Sequence, residues 1–116
     1  MKKFSDAFNG LKIAFGHKAV ITQLILGVMA IIGGLIIRLD YYEWLAFIIC
    51  IVLVISSEIF NTAVEKIADY LNLNYDEKIK VIKDLSSGAV LVNSIGALII
   101  CIFTIIRRII RWVMKN

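Results

Sequence analysis

The sequence predicts an all-α membrane protein, in which an N-terminal amphipathic surface helix precedes three transmembrane helices. Apolar residues make up 60% of the 116 residues, more than one small soluble core buries. Two uncharged runs, 19–37 and 85–106, are long enough to cross a hydrocarbon layer about 30 Å thick. Because the chain has no proline, each predicted helix can continue without a kink. We therefore expect one membrane domain over residues 1–116.

The predicted surface helix covers residues 1–17. Large apolar side chains recur there at helical spacing while polar side chains fill the other face, and the apolar set is Phe4, Phe8, Leu11 and Phe15. The first span, 19–37, follows. An aromatic group typical of a membrane boundary comes after it, formed by Tyr41, Tyr42 and Trp44. No small-residue cleavage pattern follows the span, so we expect no processing.

The second predicted span, 44–71, extends beyond the membrane into the cytoplasm. Residues 44–55 are apolar, and polar residues then join a helical pattern that no glycine or proline interrupts. At about 100° per residue, the polar side chains share about 100° of the helix surface. This carboxylate stripe consists of Glu58, Asn61, Thr62, Glu65 and Asp69.

The remaining segments are a turn at 72–76, a charged and partly amphipathic stretch at 77–83, and the third span at 85–106. Asp84 stands just before that span, and a basic tail, 107–116, is predicted to continue its helix into the headgroups. The net charge of +4 arises from Lys and Arg beside apolar segments, which indicates headgroup contact rather than nucleic-acid binding. Cys50 and Cys101 are interpreted as packed thiols.

Small and polar residues within the spans are expected to serve helix packing. Four glycines suit close helix approach, namely Gly27, Gly33, Gly34 and Gly96. Interhelical hydrogen bonds are expected from Thr22, Gln23, Asn93 and Ser94. Ser86 and Ser87 stand within one turn of Asp84 and are placed to approach a hydroxyl or a phosphate.

Carboxylates near the end of a membrane span are costly to desolvate and therefore require an explanation. Phosphoryl transfer from ATP needs a carboxylate to hold Mg²⁺, a cation to balance the phosphates, and a base for the acceptor hydroxyl. Glu65, Lys83 and Glu58 can supply these groups. Alternatively, the acidic residues form salt bridges with Lys66, Lys80 and Lys83 and only solvate a helix end. Spacing alone leaves both interpretations open.

Two motifs carry a resemblance to a known family. Glu58-Ile-Phe-Asn-Thr-Ala-Val-Glu-Lys-Ile-Ala-Asp69 contains the pattern E-x-x-N-[ST]-A-[IV]-E-x-x-x-D, and Lys83-Asp84 precedes Gly88. Together they resemble the small bacterial integral membrane lipid kinases, the prokaryotic diacylglycerol kinase and undecaprenol kinase family. The resemblance covers nearly the whole chain. It implies an ATP-dependent kinase of the bacterial inner membrane, built as a homotrimeric bundle with ATP and Mg²⁺ bound between subunits at the cytoplasmic boundary.

The resemblance also implies a role for each motif residue. Glu58 would be the catalytic base on the lipid hydroxyl, and Glu65 the ligand of the metal and the nucleotide. Asn61 would orient groups between them. The rest of the nucleotide site would comprise Asp69, Lys83 and Asp84, with the turn at 74–76 beside the adenosine.

The expected acceptor is undecaprenol, because Gly88-Ala-Val-Leu-Val after Lys83-Asp84 more closely resembles the undecaprenol kinases. Diacylglycerol is the alternative. A non-enzymatic channel or holin-like protein is a further alternative, but a water-filled path would need polar residues through residues 44–55, which have none. ATP as donor requires 58–84 to be cytoplasmic, and the N-terminal lysines favour the same side. The basic tail then lies outside, against the positive-inside rule.

One position departs from the family pattern. Family members carry a glutamate as second metal ligand after a Phe-x-x pattern, whereas this chain has Phe15-Gly16-His17-Lys18. Lysine cannot bind Mg²⁺, and His17 is better explained as a headgroup contact. Either Lys18 contacts phosphate directly at a site that holds one metal less tightly, or the chain has reduced activity. We favour the first account because every other motif position is kept.

Overall fold

The computed structural model describes residues 2–71, 74 and 76–116, and within them the chain forms four helices. They are α1 (Lys2–Ala14), α2 (Lys18–Ile37), α3 (Tyr41–Leu71) and α4 (Glu77–Lys115). Helices α2, α3 and α4 are each long and apolar enough to cross a membrane, so the predicted all-α fold with three candidate spans is confirmed. The predicted turn at 72–76 falls largely on residues 72, 73 and 75, which lie outside the described residues.

Helix α1 ends earlier than the predicted surface helix. It stops at Ala14, because the chain then turns through Gly16 and His17 before α2 begins at Lys18. His17 has extended backbone and is the N-cap residue of α2. Phe4 and Phe8 are largely exposed, so the apolar face of α1 is not covered by the rest of the chain. Its place on a membrane surface stays a prediction.

The connection between α2 and α3 is a tight turn that depends on Gly34. Arg38 adopts a left-handed conformation with φ of 58°, and the Leu39 N–H donates to the Gly34 carbonyl at 3.1 Å. This is a Schellman-type helix end, in which the residue after the turn packs back on the helix. A Cβ on Gly34 would lie 2.8 Å from both Leu39 Cδ1 and Trp44 Cη2. The turn therefore requires glycine at this position.

Helix α3 begins with a capping box formed by Asp40 and Glu43. The Glu43 N–H donates to Asp40 Oδ1 and the Asp40 N–H donates to Glu43 Oε1, each at 2.9 Å. This reciprocal pair satisfies backbone donors that the first helical turn leaves free. The helix consequently starts at Tyr41 rather than at residue 44, so Tyr41 and Tyr42 lie within α3.

Arg108 of the basic tail joins this corner to α4. It donates to Glu43 Oε1 at 2.5 Å and Glu43 Oε2 at 3.3 Å, and to the carbonyls of Ile37 and Arg38 at 2.6 and 2.7 Å. The side chain of Glu43 is only 5% exposed. One guanidinium thus neutralises a buried carboxylate and satisfies carbonyls at the C-terminal end of α2. We call Glu43, Arg108 and the two carbonyls the corner cluster.

Helix α4 is one continuous helix of 39 residues. The predicted charged stretch at 77–83 is its beginning, and the tail at 107–116 continues it to Lys115. Asp76 is its N-cap and accepts a hydrogen bond from the Lys78 N–H at 2.8 Å. At 1.5 Å per residue α4 is about 58 Å long, roughly twice the thickness of a hydrocarbon layer. Both of its charged ends therefore extend beyond the apolar span.

Antiparallel packing joins α3 to α4 most extensively, and α2 packs on α3. A Cβ on Gly27 would lie 3.1 Å from Ile51 Cγ2, so Gly27 and Gly34 both allow close helix approach, as predicted. Gly33 and Gly96 have open space around them in this chain, so close approach there is not observed.

Asn93 Nδ2 donates to the Leu53 carbonyl at 3.4 Å, the expected interhelical bond. Thr22 instead bonds the Lys18 carbonyl of its own helix, so its prediction was wrong.

The single chain buries few of its apolar side chains. Among the described residues, the buried hydrophobic ones are Ala14, Val20, Leu39, Phe47, Val54 and Ala68. Within the most apolar 18-residue stretch of each helix, the buried share is 17% for α2, 17% for α3 and 6% for α4. A cavity of about 500 Å³ opens between the three helices, and both free cysteines line it. The remaining apolar surface has to face lipid or another protein.

Candidate active site

The carboxylate stripe lies on α3 with an ordered gradient of burial. Glu58 and Asn61 are each 7% exposed, Glu65 is half-buried and Asp69 is exposed. Val54 and Ala68 are also buried, and they lie at helical spacing from Glu58 and Asn61. The stripe therefore belongs to the face of α3 that packs within the chain. The inner end of the stripe, at Glu58, is thus buried, and its outer end, at Asp69, is exposed to solvent.

Asn61 and Glu65 are joined directly. Asn61 Nδ2 donates to Glu65 Oε1 at 3.2 Å, across one turn of α3. Asn61 Oδ1 is buried and has no hydrogen-bond partner among the described residues. A buried amide oxygen without a partner is uncommon, because its desolvation is then not compensated. The pair therefore combines a half-buried carboxylate with an enclosed carbonyl oxygen whose hydrogen-bonding capacity is unused.

The Glu58 carboxylate has no ion pair or side-chain hydrogen bond within the part of the chain that the structure describes. Its backbone carbonyl accepts a hydrogen bond from Thr62 Oγ1 at 3.0 Å, which directs the Thr62 hydroxyl back onto the helix. Glu65 also lacks a cationic partner among the described residues. The salt-bridge alternative is thus wrong for Glu58 and Glu65, and both carboxylates are available for chemistry.

The outer end of the stripe does form an ion pair. Lys83 Nζ of α4 donates to Asp69 Oδ1 of α3, so two predicted nucleotide-site residues meet across the helix connection. Their side chains are 37% and 60% exposed. Within α4, Asp84 pairs with Lys80 at 2.6 Å, and the Asp84 side chain is 63% exposed. Exposed pairs of this kind contribute little to stability.

A complete metal site is not present among the described residues, since no three His, Cys, Asp or Glu side chains converge there. The Glu65 carboxylate and the free Asn61 oxygen nevertheless suit Mg²⁺, which prefers oxygen ligands and retains several waters. The antiparallel register of α2 and α3, continued from Gly27 and Gly34, brings Lys18 to the level of residue 60. The Lys18 ammonium therefore stands near the height of Glu58 and Asn61.

The corner cluster was not predicted from the sequence. Glu43 and Arg108 are 65 residues apart in sequence, and no local pattern links them. The capping-box spacing of Asp40 and Glu43 is a local sequence signal for the start of α3, but it does not point to Arg108. The cluster lies at the opposite end of α3 from the carboxylate stripe, with Glu43 about 22 Å from Glu58 along the helix. We therefore assign it to the fold rather than to the chemistry.

Comparison with known proteins places these features in context. Residues 5–105 match the family described as prokaryotic diacylglycerol kinase. A diacylglycerol kinase of Sinorhizobium sp is 30% identical over 103 residues, covering 85% of this chain and 75% of the relative. A diacylglycerol kinase of Helicobacter pylori strain J99 is 28% identical over 88 residues, covering 75% and 69% respectively. The family match includes the whole stripe and ends before the basic tail at 107–116.

Proposed function

Because the chain belongs to the prokaryotic diacylglycerol kinase family, it is a lipid kinase, and we propose that its acceptor is undecaprenol. The observation that best supports a site at the carboxylate stripe is the buried Glu58 carboxylate. It is without a partner among the described residues and stands one turn from the bonded pair of Asn61 and Glu65. The channel alternative is set aside by the family assignment.

In the proposed reaction, the lipid hydroxyl oxygen attacks the γ-phosphorus of ATP while the bond to the bridging β–γ oxygen breaks. Glu58 takes the hydroxyl proton, and ADP leaves with the bonding electron pair. The apolar surroundings at the inner end of the stripe suit a lipid alcohol, and the open outer end suits a nucleotide. Most of the rate enhancement would come from positioning and electrostatic stabilisation, as is general for phosphoryl transfer.

We propose that Glu65 and Asn61 Oδ1 hold Mg²⁺, which supplies positive charge against the phosphate oxygens. Asn61 Nδ2 fixes the Glu65 carboxylate through its hydrogen bond, which keeps the two side chains together. Lys83 would leave Asp69 to contact the phosphates, and Asp84 would complete the nucleotide site. Lys18, at the height of this group, would contact a phosphate oxygen directly.

The choice of acceptor rests on the Gly88-Ala-Val-Leu-Val segment and its likeness to undecaprenol kinases. Diacylglycerol is the second candidate, favoured by the names of the two relatives. Both are membrane alcohols, and the apolar surface beside Glu58 imposes no single chain shape.

We propose further that the active unit is a homotrimer in the bacterial inner membrane, with its sites at subunit contacts on the cytoplasmic face. Two observations support an assembly. The described residues of one chain hold only part of a metal site, and most of the apolar surface of α2, α3 and α4 is exposed. The cytoplasmic orientation follows from ATP as the donor.

The test is phosphoryl transfer from γ-labelled ATP in lipid nanodiscs that contain undecaprenol, diacylglycerol or no added alcohol. We expect kcat/KM for undecaprenol to exceed that for diacylglycerol by about tenfold or more. The reverse order would replace the acceptor and leave the kinase assignment intact. Glu58→Gln should lower kcat by about 10² to 10⁴, whereas Glu77→Gln, an exposed carboxylate at the start of α4, serves as the matched control. Retention of a third of kcat in Glu58→Gln would remove the assigned base.

A further inference from the structure

A second cavity, of about 540 Å³, lies at the C-terminal end of α4 beside the end of α2. Its lining combines basic and apolar side chains. The basic ones are Arg108, Arg111 and Lys115, and the apolar ones are Ile37, Ile105, Ile109 and Trp112. We call this the tail pocket. Lys83 of the candidate active site lies about 42 Å away along α4, so the tail pocket is separate from that site.

The tail pocket retains positive charge. The charge of Arg108 is neutralised by Glu43, whereas Arg111 and Lys115 have no carboxylate or hydrogen-bond partner among the described residues. These two residues are four apart in a helix and therefore lie on the same side. The carboxylate of Asp40 caps α3 through the Glu43 N–H and does not pair with them. Two exposed cations thus remain available to an anion.

The apolar half of the pocket identifies the kind of anion. Ile105 and Ile109 are also four apart in α4, and Ile37 closes the pocket from α2. Such a surface forms no favourable contact with a free inorganic anion, but it can pack against hydrocarbon. Trp112, at the outer end, is of the type enriched at membrane interfaces. A ligand that fits both halves carries a negative headgroup and an acyl chain.

We propose that the tail pocket binds an anionic phospholipid, with its phosphate at Arg111 and Lys115 and its acyl chain along Ile105 and Ile109. The bound lipid lies in the leaflet opposite the candidate active site, because α4 crosses the membrane between the two. This gives the basic tail a ligand on the side where the positive-inside rule leaves it unexplained. The proposal does not rest on the kinase chemistry.

Fluorescence quenching by brominated lipids tests this proposal on the full chain. Trp44→Phe leaves Trp112 as the only tryptophan, since the sequence has two. The chain is placed in nanodiscs of zwitterionic phosphatidylcholine with a small fraction of phosphatidylglycerol, and either lipid carries the bromine. We expect preferential quenching by phosphatidylglycerol, and a fall of about fivefold in its relative affinity for each of Arg111→Gln and Lys115→Gln. Arg111→Lys should keep the preference.

Arg107→Gln is the matched control, because it removes the same charge from the same region of α4 but does not line the pocket. The preference should persist in this variant. Equal loss in Arg107→Gln and Arg111→Gln would show diffuse charge attraction and overturn the pocket. Equal quenching by both lipids would overturn the binding itself. If millimolar inorganic phosphate abolished the preference, the site would bind a free anion and the lipid assignment would be wrong. Helix content by circular dichroism checks that each variant is folded.

Discussion

Arg108→Gln should destabilise the chain by about 3 kcal/mol. The substitution leaves Glu43, whose side chain is 5% exposed, without its cation, and also removes hydrogen bonds to the Ile37 and Arg38 carbonyls. Breaking a buried ion pair from one side usually costs about 3 to 5 kcal/mol, because the remaining charge stays desolvated. Since the Arg108 side chain is 26% exposed, water can partly replace it. The lower end of that range is therefore expected.

The measurement is the free energy of unfolding in bicelles by steric trapping. Arg107→Gln provides the control, because Arg107 is exposed and has no ion pair among the described residues, and it should change the stability by less than about 0.5 kcal/mol. The corner cluster is far from Glu58, so kcat per folded subunit should be unchanged in both variants. This distinguishes loss of fold from loss of chemistry.

A double-mutant cycle separates the pair from its surroundings. Glu43→Gln removes the buried charge, so Arg108→Gln should cost less in that background by about 1.5 kcal/mol or more. If Arg108→Gln alone changed the stability by less than about 0.5 kcal/mol, or if the two substitutions were additive, the corner cluster would not hold the three helix ends together.

Three further outcomes are expected. Gly34→Ala should lower the free energy of unfolding by about 1 to 3 kcal/mol, because its Cβ would lie 2.8 Å from two neighbouring side chains, whereas Gly33→Ala has open space and should not destabilise. Lys83→Gln should raise KM for ATP several-fold, and an unchanged KM would contradict the phosphate contact. The same substitution should change the stability by less than about 1 kcal/mol, because the pair of Lys83 with Asp69 is exposed. Lys18→Gln should also raise KM for ATP. If Lys18→Glu instead increased kcat and lowered the Mg²⁺ requirement, the reduced-activity account of this position would be correct.

The spans and the order of the carboxylate stripe were predictable because both depend on local periodicity. Uncharged runs at 19–37 and 85–106 require a helix that satisfies its own backbone in lipid. Spacings of three and four residues place Glu58, Asn61 and Glu65 on one side of any helix, whatever surrounds it. The motif from Glu58 to Asp69 suggested a role for each of its residues through its resemblance to the family.

Other features depended on how the helices cross. The sequence predicted that the tail at 107–116 continues the helix of the third span, but it did not show that residues 77–83 belong to that helix, since charge at a span's end is compatible with either a turn or a continued helix. It did not show that Lys83 meets Asp69, or that Arg108 closes the corner at Glu43. These contacts join residues far apart in sequence, and their formation depends on the register between α3 and α4. Local spacing determines which face of a helix a side chain occupies, and only tertiary packing determines what that face meets.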